Sequence, residues 1–506
     1  MARYKHSDIE NGQGLFLSVN LKDQLLPGTF EYMLDDLVGT KIDLSIFDGN
    51  YKNDGTGATA IPPVALIKLI IYGYSKGIKS SRKLMALNSE NIIAKALTRD
   101  LPMHWTTIAD FISENGDKFK DTFIKVLAYC NELGLIGGET FAIDGVRLPS
   151  NASLDQSGTK KQLEKRVEAY RKMAEKHVRR HKEKDSQGEV DEELQEKFEK
   201  RQQRLNQRMA KIEGFLAAMK IKEGKGGQEI QSNVTDNESA MIHSSKGFVQ
   251  GYIGVAVSDQ KNQIIVSAQA VGTANEGEHL PAMLDSCAEN MQSIAGKEAW
   301  EGKTPTVLGD TNYFGEENFR ACEVRGIEAI IPGANSKRLA GPSGEQRFEA
   351  QDFTRHEEGN YYECPWGKSL PYKGTTMLRV GEGAVYQASL TDCKVCPHFS
   401  RCMWTKKEQC QIVQGRKLLI TERNDPSSES LCNNMREKMN TEECQARYAQ
   451  RIQIIEPVFA NIRYCKGLNR FMLRGKEKVN GQWRLYCIVH NLGKCLNEYN
   501  ERRESA

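Results

Sequence analysis

Residues 140–153 read TFAIDGVRLPSNAS. An aromatic and β-branched run leads into Asp144, and polar and turn-forming residues close the stretch, which is the pattern of a short strand. Upstream the reading is helical. PPVALIKLIIYGYSKG (62–77) has prolines at a helix start and a mostly apolar run ending at Gly77. SSRKLMALNSENIIAKAL (80–97) opens on two candidate caps, Ser80 and Ser81. Residues 106–136 carry Ile108, Phe111, Ile112, Phe119, Phe123, Val126 and Leu127 at helical spacing. Downstream, 158–226 is rich in Lys, Arg, Glu and Gln and free of proline. That predicts an exposed helical hairpin turning at Ser186-Gln187-Gly188. FVQGYIGVAVSD (248–259) and QIIVSAQAV (263–271) are strands about a tight turn, and 275–294 is a helix. TPTVLGD (304–310), GEENFRACEVRG (315–326) and IEAIIPG (327–333) read strand, helix, strand. The sum is an α/β class fold with a mixed sheet and helices on its faces. Periodicity fails over 336–430, which reads as an insertion, and helices return at 441–467 and 483–499.

Composition narrows the function. The chain has 506 residues, with 70 Lys and Arg against 67 Asp and Glu, and its mean hydropathy is −0.57. No apolar run approaches the roughly 18 residues of a membrane span. The N-terminal MARYKHSDIE lacks a signal-peptide core, so a cytoplasmic protein is expected. Near-neutral net charge confines any polyanion binding to local clusters. Thirteen cysteines without a secretion signal predict reduced thiols rather than a disulfide framework.

Three acids stand out by context. Asp144 ends FAIDG, Asp310 ends TVLGD, and Glu456 lies in the helical RIQIIEPVFANIR. Ligands gather at strand ends in open α/β sheets. Carboxylates converging there suit Mg²⁺, a hard cation that takes oxygen ligands, and two such ions about 4 Å apart serve phosphoryl transfer. Cys364, Cys393, Cys396 and Cys402 are candidate ligands of a structural Zn²⁺, with Cys410 as a spare. Cys130, Cys287, Cys322, Cys465, Cys487 and Cys495 fall on apolar helical patterns and read as core. Arg463, Lys466, Arg470, Arg474, Lys476 and Lys478 form a basic set, and 466, 470 and 474 share a face if a helix continues through Gly467. Neutralising phosphates is its natural use. Asp236 and His243 have either a DNA-facing or a structural loop role, and Asp259 reads as a turn residue.

FAIDGVRLPSNAS, NVTDNESAMIHSSKGFVQGYIGVAVSD, GDTNYFGEENF, YAQRIQIIEPVFANIRYCKGLNRFMLRG and LYCIVHNLGK, in that order, resemble the DDE transposases of bacterial insertion sequences, in particular the insertion sequence 1182 group. The resemblance implies a ribonuclease H-like core with Asp144, Asp310 and Glu456 as the metal-binding and catalytic triad. It also implies two Mg²⁺ (or Mn²⁺) ions, double-stranded DNA as partner and a homodimer on DNA, in a cytoplasmic, nucleoid-associated protein. In related transposases a Tyr, an Arg and a Lys accompany the glutamate. Here Tyr448 and Arg451 precede Glu456, and Arg463, seven residues on, takes the Lys position and returns to the same helix face. Pro457 removes a backbone hydrogen bond beside the glutamate. The division that follows is 1–135 helical, 136–157 first core strand, 158–226 charged helical insertion and 227–335 core. A cysteine-containing insertion at 336–435 and the catalytic and closing helices at 436–506 complete it. The expected function is binding of the element's inverted-repeat ends, strand cleavage and strand transfer. A Mg-dependent nuclease without integration activity, or a non-catalytic DNA-binding regulator, are the alternatives.

Overall fold

The structure is a computed structural model that describes residues 20–51, 59–186, 192–224, 227–244, 247–296, 304–333, 347–378, 381–403, 405, 407–421 and 430–504. Six helices come first: α1 (Phe30–Thr40), α2 (Pro63–Ser75), α3 (Ser81–Glu90), α4 (Ile92–Thr98), α5 (Trp105–Glu114) and α6 (Lys118–Glu132). Proline at its first position starts α2, and Gly77, with φ +76°, follows its end. Ser80 stands at the N-cap of α3, but its side chain makes no capping bond.

The sheet follows. Strand β1 (Thr140–Pro149) precedes a helical hairpin, α7 (Lys160–Ser186) and α8 (Glu192–Ala218). Gln187 and Gly188 of the expected turn lie outside the described residues. Next come β2 (Ala240–Ser244), β3 (Gly247–Asp259), β4 (Ile265–Val271), α9 (Leu280–Ala295), β5 (Thr306–Leu308), α10 (Glu316–Val324) and β6 (Glu328–Ile330). Strand β1 lies between β3, antiparallel to it, and β5, parallel to it, and β6 runs parallel outside β5. On the far side of β3 sit β2, along its first residues, and β4, along its last. The sheet is therefore mixed. The pairing of Thr140 with Thr306 and Ala142 with Leu308, continued two residues, brings Asp144 beside Asp310.

The segment before the last helices is not irregular. It holds an antiparallel sheet of β7 (Thr354–His356), β8 (Tyr361–Glu363), β9 (Ser369–Leu378), β10 (Gly381–Gln387) and β11 (Lys417–Ile420). Its own core includes Phe353, Tyr362, Leu370, Tyr386 and Leu418. Helices α11 (Leu431–Met439), α12 (Glu442–Ala460) and α13 (Lys476–Glu504) close the chain.

Helix α13 is buried nearly all round, at Val479, Trp483, Leu485, Tyr486, Ile488, Val489 and Leu492. The main sheet covers one side and the N-terminal helices the other, so its central turns lack the polar face of a surface helix. Two asparagines hold it to the backbone of edge strand β4. The Asn480 amide accepts from Ala270 N (2.7 Å) and donates to Ala270 O (3.1 Å), and Asn491 does the same with Ile265 (2.9 Å each way). A strand edge that would otherwise invite another chain is thereby capped by side chains. The close crossing needs glycine: a Cβ on Gly481 would stand 2.7 Å from the Gly116 Cα.

Candidate metal centre

Asp144, Glu276 and Asp310 each offer a carboxylate oxygen, and these three oxygens lie within 4.8 Å of one another. Asp144 stands in the middle of β1 rather than at its end. Arg451 of α12 pairs with its Oδ2 at 2.6 Å, and the Gly145 N–H donates to its Oδ1 at 2.8 Å. Burial still wins: it pushes the Asp144 carboxyl up to about 6 against the pull of Arg451, and the charges of Asp310 and Glu456 add to the rise. Asp310 follows β5 as the cap of a short 3-10 turn, its Oδ1 accepting from Asn312 N at 2.9 Å.

Glu276 is the residue sequence reasoning missed. It sits between β4 and α9, only 2% exposed. Its Oε1 accepts from Asn312 Nδ2 (2.8 Å) and Arg147 Nη2 (3.3 Å), and Asn312 Nδ2 also donates to Asp310 Oδ2 (2.9 Å). Burial, then Asp144 and Asp310, push its carboxyl up to about 7. Its approach depends on Gly145, where a Cβ would stand 1.9 Å from Glu276 Oε2. The available signal was NEGEH, an acid beside a glycine just ahead of the Leu280-Pro281 helix start.

Glu456 is exposed on α12 and lies outside that tight trio, though near enough for its charge to act on Asp144. Its helix continues through Pro457. Proline leaves the carbonyl of Gln453, four residues back, without its helical donor. Gln263 Nε2, from the β3–β4 turn, donates to that carbonyl at 2.6 Å. Arg447 on the same helix binds Glu328 of β6, its Nη2 2.5 Å from Oε2. Together with the Arg451–Asp144 pair, these contacts hold α12 over the sheet.

The other site residues divide. Tyr448 is half-buried beside Arg451, and Arg451 itself is buried. Residues 461–465 form a π-type turn, so the 100° step does not carry Arg463 back to the face of Glu456. Arg463 is exposed with its guanidinium over the Tyr464 ring. No helix runs through Gly467, whose φ is +67°. Lys466 is buried. Arg470 donates to Ser150 O (2.9 Å) and Arg474 to Asn151 O (2.7 Å), and both residues are exposed. Asp236 is structural, accepting from the Tyr252 hydroxyl at 2.8 Å. Asp259 anchors a turn through the N–H groups of Gly137, Gly138 and Lys261. His243 is exposed, and its carbonyl accepts from Arg147.

Cys364, Cys393, Cys396 and Cys402 come near one another beside the small antiparallel sheet, in the turns and short helices that pack on its core. Burial raises the thiols of Cys393, Cys396 and Cys402, and the neighbouring cysteines add to each rise. Cys364 Sγ accepts from Lys368 N–H (3.4 Å) and Cys393 Sγ from Arg416 N–H (3.3 Å). Among the described residues, no three of these sulfurs lie within 4.8 Å of one another, wider than a zinc tetrahedron with bonds of about 2.3 Å requires. Cys130, Cys287, Cys322, Cys487 and Cys495 are buried as expected, whereas Cys465 is exposed because it falls on the π-type turn.

Two family models match the chain. Residues 19–114 match a transposase domain of the DUF772 type, and residues 363–496 match a transposase DDE domain. No match was found among curated proteins. The two matches support an insertion-sequence transposase, a DNA-cleaving and DNA-transferring enzyme whose partner is DNA. The second takes in the four cysteines and Glu456 but stops short of Asp144 and Asp310. Among the described residues, no helix is long and apolar enough to cross a membrane.

Proposed function

We propose that this protein is a DDE transposase of the insertion sequence 1182 type. In this reading it binds the inverted-repeat ends of its element, cleaves a strand there and joins the freed 3′-hydroxyl to target DNA. The observation that carries the reading is the side-by-side placement of Asp144 and Asp310 with Glu456 close by, on a mixed sheet (β4–β3–β1–β5–β6, with β2 also paired to β3) that we read as a ribonuclease H-like core. The all-oxygen donor set fits Mg²⁺ or Mn²⁺. Asp144, Asp310 and Glu456 would hold the ions, which when bound supply Lewis acidity to the attacking and leaving oxygens of phosphoryl transfer.

The chain's own residues position and neutralise. Arg451 and the Gly145 N–H hold the Asp144 carboxylate in one orientation, and Asn312 holds Asp310. Arg463, Arg470 and Arg474 retain free N–H groups for DNA phosphates. A groove of about 580 Å³ on the hairpin, lined by Lys197, Lys200, Arg201, Arg204 and Arg208, offers a second phosphate track. Two DNA ends must meet in one reaction, so the acting form is a homodimer on DNA. Zinc at the four cysteines would need their sulfurs to draw together, since as placed they stand too far apart for its tetrahedron. The two N–H···S bonds are the support for zinc there, and metal analysis of the purified chain should find about one equivalent. Less than about half an equivalent removes the zinc.

The main test uses duplexes carrying the element's ends, with a target plasmid and Mg²⁺. The wild-type chain should cleave and transfer strands, and Asp144→Asn should lower both by about 10²–10³-fold, in line with loss of a central electrostatic group. Unchanged cleavage by Asp144→Asn would remove the catalytic assignment. Nicking without strand transfer would identify a nuclease.

A further inference from the structure

We infer that Glu276 is a metal-binding carboxylate of this site, forming with Asp144 and Asp310 a cation cradle carried by the sheet, apart from the helix-borne Glu456. The inference deepens the transposase reading and rests on it for the site's purpose, though not for the metal binding itself.

The three carboxylates converge within 4.8 Å, and Glu276 is the buried member. Its two oxygens are treated differently. Oε1 is fully engaged by Asn312 and Arg147, while Oε2 is buried with no hydrogen-bond partner. An acid kept only for an ion pair would not leave one oxygen desolvated and unmatched, because that arrangement is costly. The unmatched oxygen lies against Gly145, next in the chain to Asp144, in space that any larger residue would fill. Asn312 donates to both Glu276 and Asp310, so a single amide sets the spacing of two carboxylates. Metal centres typically have such groups behind their ligands, holding them in orientation.

Charge points the same way. Asp144, Glu276, Asp310 and Glu456 face two guanidinium groups, those of Arg147 and Arg451. The surplus negative charge matches one divalent cation, and carboxylate oxygens are the donors such a cation selects. Glu276 comes from the β4–α9 connection, so all three cradle carboxylates come from the sheet and its connections and none from α12, which supplies Arg451 to orient Asp144. Glu456, exposed on that helix, reaches the same ion or a second one from the open side.

The test is Mn²⁺ titration by calorimetry on the full-length chain, with melting temperatures measured without and with the metal. Glu276→Gln keeps the shape and the Asn312 and Arg147 contacts but removes the charge. It should weaken Mn²⁺ binding by about tenfold or more while leaving the metal-free melting temperature unchanged or higher, because a charge beside two carboxylates is gone. Added Mn²⁺ should raise the wild-type melting temperature and not the variant's. Glu276→Asp, which keeps the charge on a shorter arm, should fold and bind with intermediate affinity. Mn²⁺ affinity of Glu276→Gln within about twofold of wild type would overturn the inference, and a lowered melting temperature with it would assign Glu276 to the Arg147 ion pair alone. No Mn²⁺ uptake by the wild-type chain would also overturn it. A chain that binds Mn²⁺ through Glu276 but neither cuts nor joins DNA leaves this inference standing and removes the transposase reading.

Discussion

Glu328 illustrates how much one side chain can carry at the sheet edge. It accepts from Arg447 and Thr306 and pairs with Lys438 at 2.6 Å. The bond from Arg447 does most to hold its carboxyl down at about 2. A carboxyl depressed in the folded state contributes stability that is present above the unfolded value near 4.5 and is lost as pH falls towards 2. The side chain is 27% exposed, so screening trims the effect to about 1–2 kcal/mol. Glu328→Gln should lower stability by that amount at pH 7 in denaturant unfolding. The gap from wild type should close between about pH 4.5 and pH 2, and a pH-independent gap would mean that packing, not charge, was lost. At this scale Asp144 and Asp310 were legible because each sits in a clear apolar strand run. Glu276 was not, because an acid in a connection looks like any solvated one until the sheet folds it inward. Lys466 misled for the opposite reason: its spacing suggested a helix face, but a left-handed glycine at 467 breaks the helix and buries it.

Elements were legible where their period is long. Helices α2, α5, α6, α12 and α13 and strands β1, β3 and β4 all follow the apolar pattern. The small sheet was not legible, since β7 and β8 are three residues each and the pairing partners supply the rest of the signal. Strand β2 was hidden likewise, as five residues that become a strand only against β3. Pro457 makes a testable case of element design. The carbonyl it orphans is repaired by Gln263 from another element, so the two residues should be energetically coupled. Gln263→Ala should cost about 1–2 kcal/mol in the native background, since the side chain also accepts from Lys494 Nζ at 2.7 Å. In a Pro457→Ala background, where the backbone N–H is restored, the same change should cost markedly less. Equal costs in the two backgrounds, measured by denaturant unfolding, would show that the side chain does not serve that carbonyl.

At the scale of the whole molecule, the N-terminal helices and the sheet share one core, while the small antiparallel sheet has its own. The join is α13, whose burial on both sides follows from apolar residues at every phase of its helix. Trp483 is its pivot: fully buried, with its indole N–H donating to Val255 O at 3.1 Å and its ring 3.1 Å from where a Cβ on Gly254 would stand. The N-terminal side is tied in separately, with Lys79 Nζ donating to Gly467 O at 2.9 Å. A helix shared by two layers couples their stabilities, because neither layer can open without exposing it. Trp483→Ala should therefore cost about 3–5 kcal/mol, as expected for deleting a buried aromatic. Its effect on amide exchange should be concerted: protection in α2 and α6 should fall together with protection in β3 and β4. The small sheet, which packs about Tyr362 and Leu370, should keep its protection. If exchange rose only in the sheet and left the N-terminal helices as they were, the shared core would be two cores in contact, and the helical layer would be free to move relative to the Asp144, Glu276 and Asp310 carboxylates.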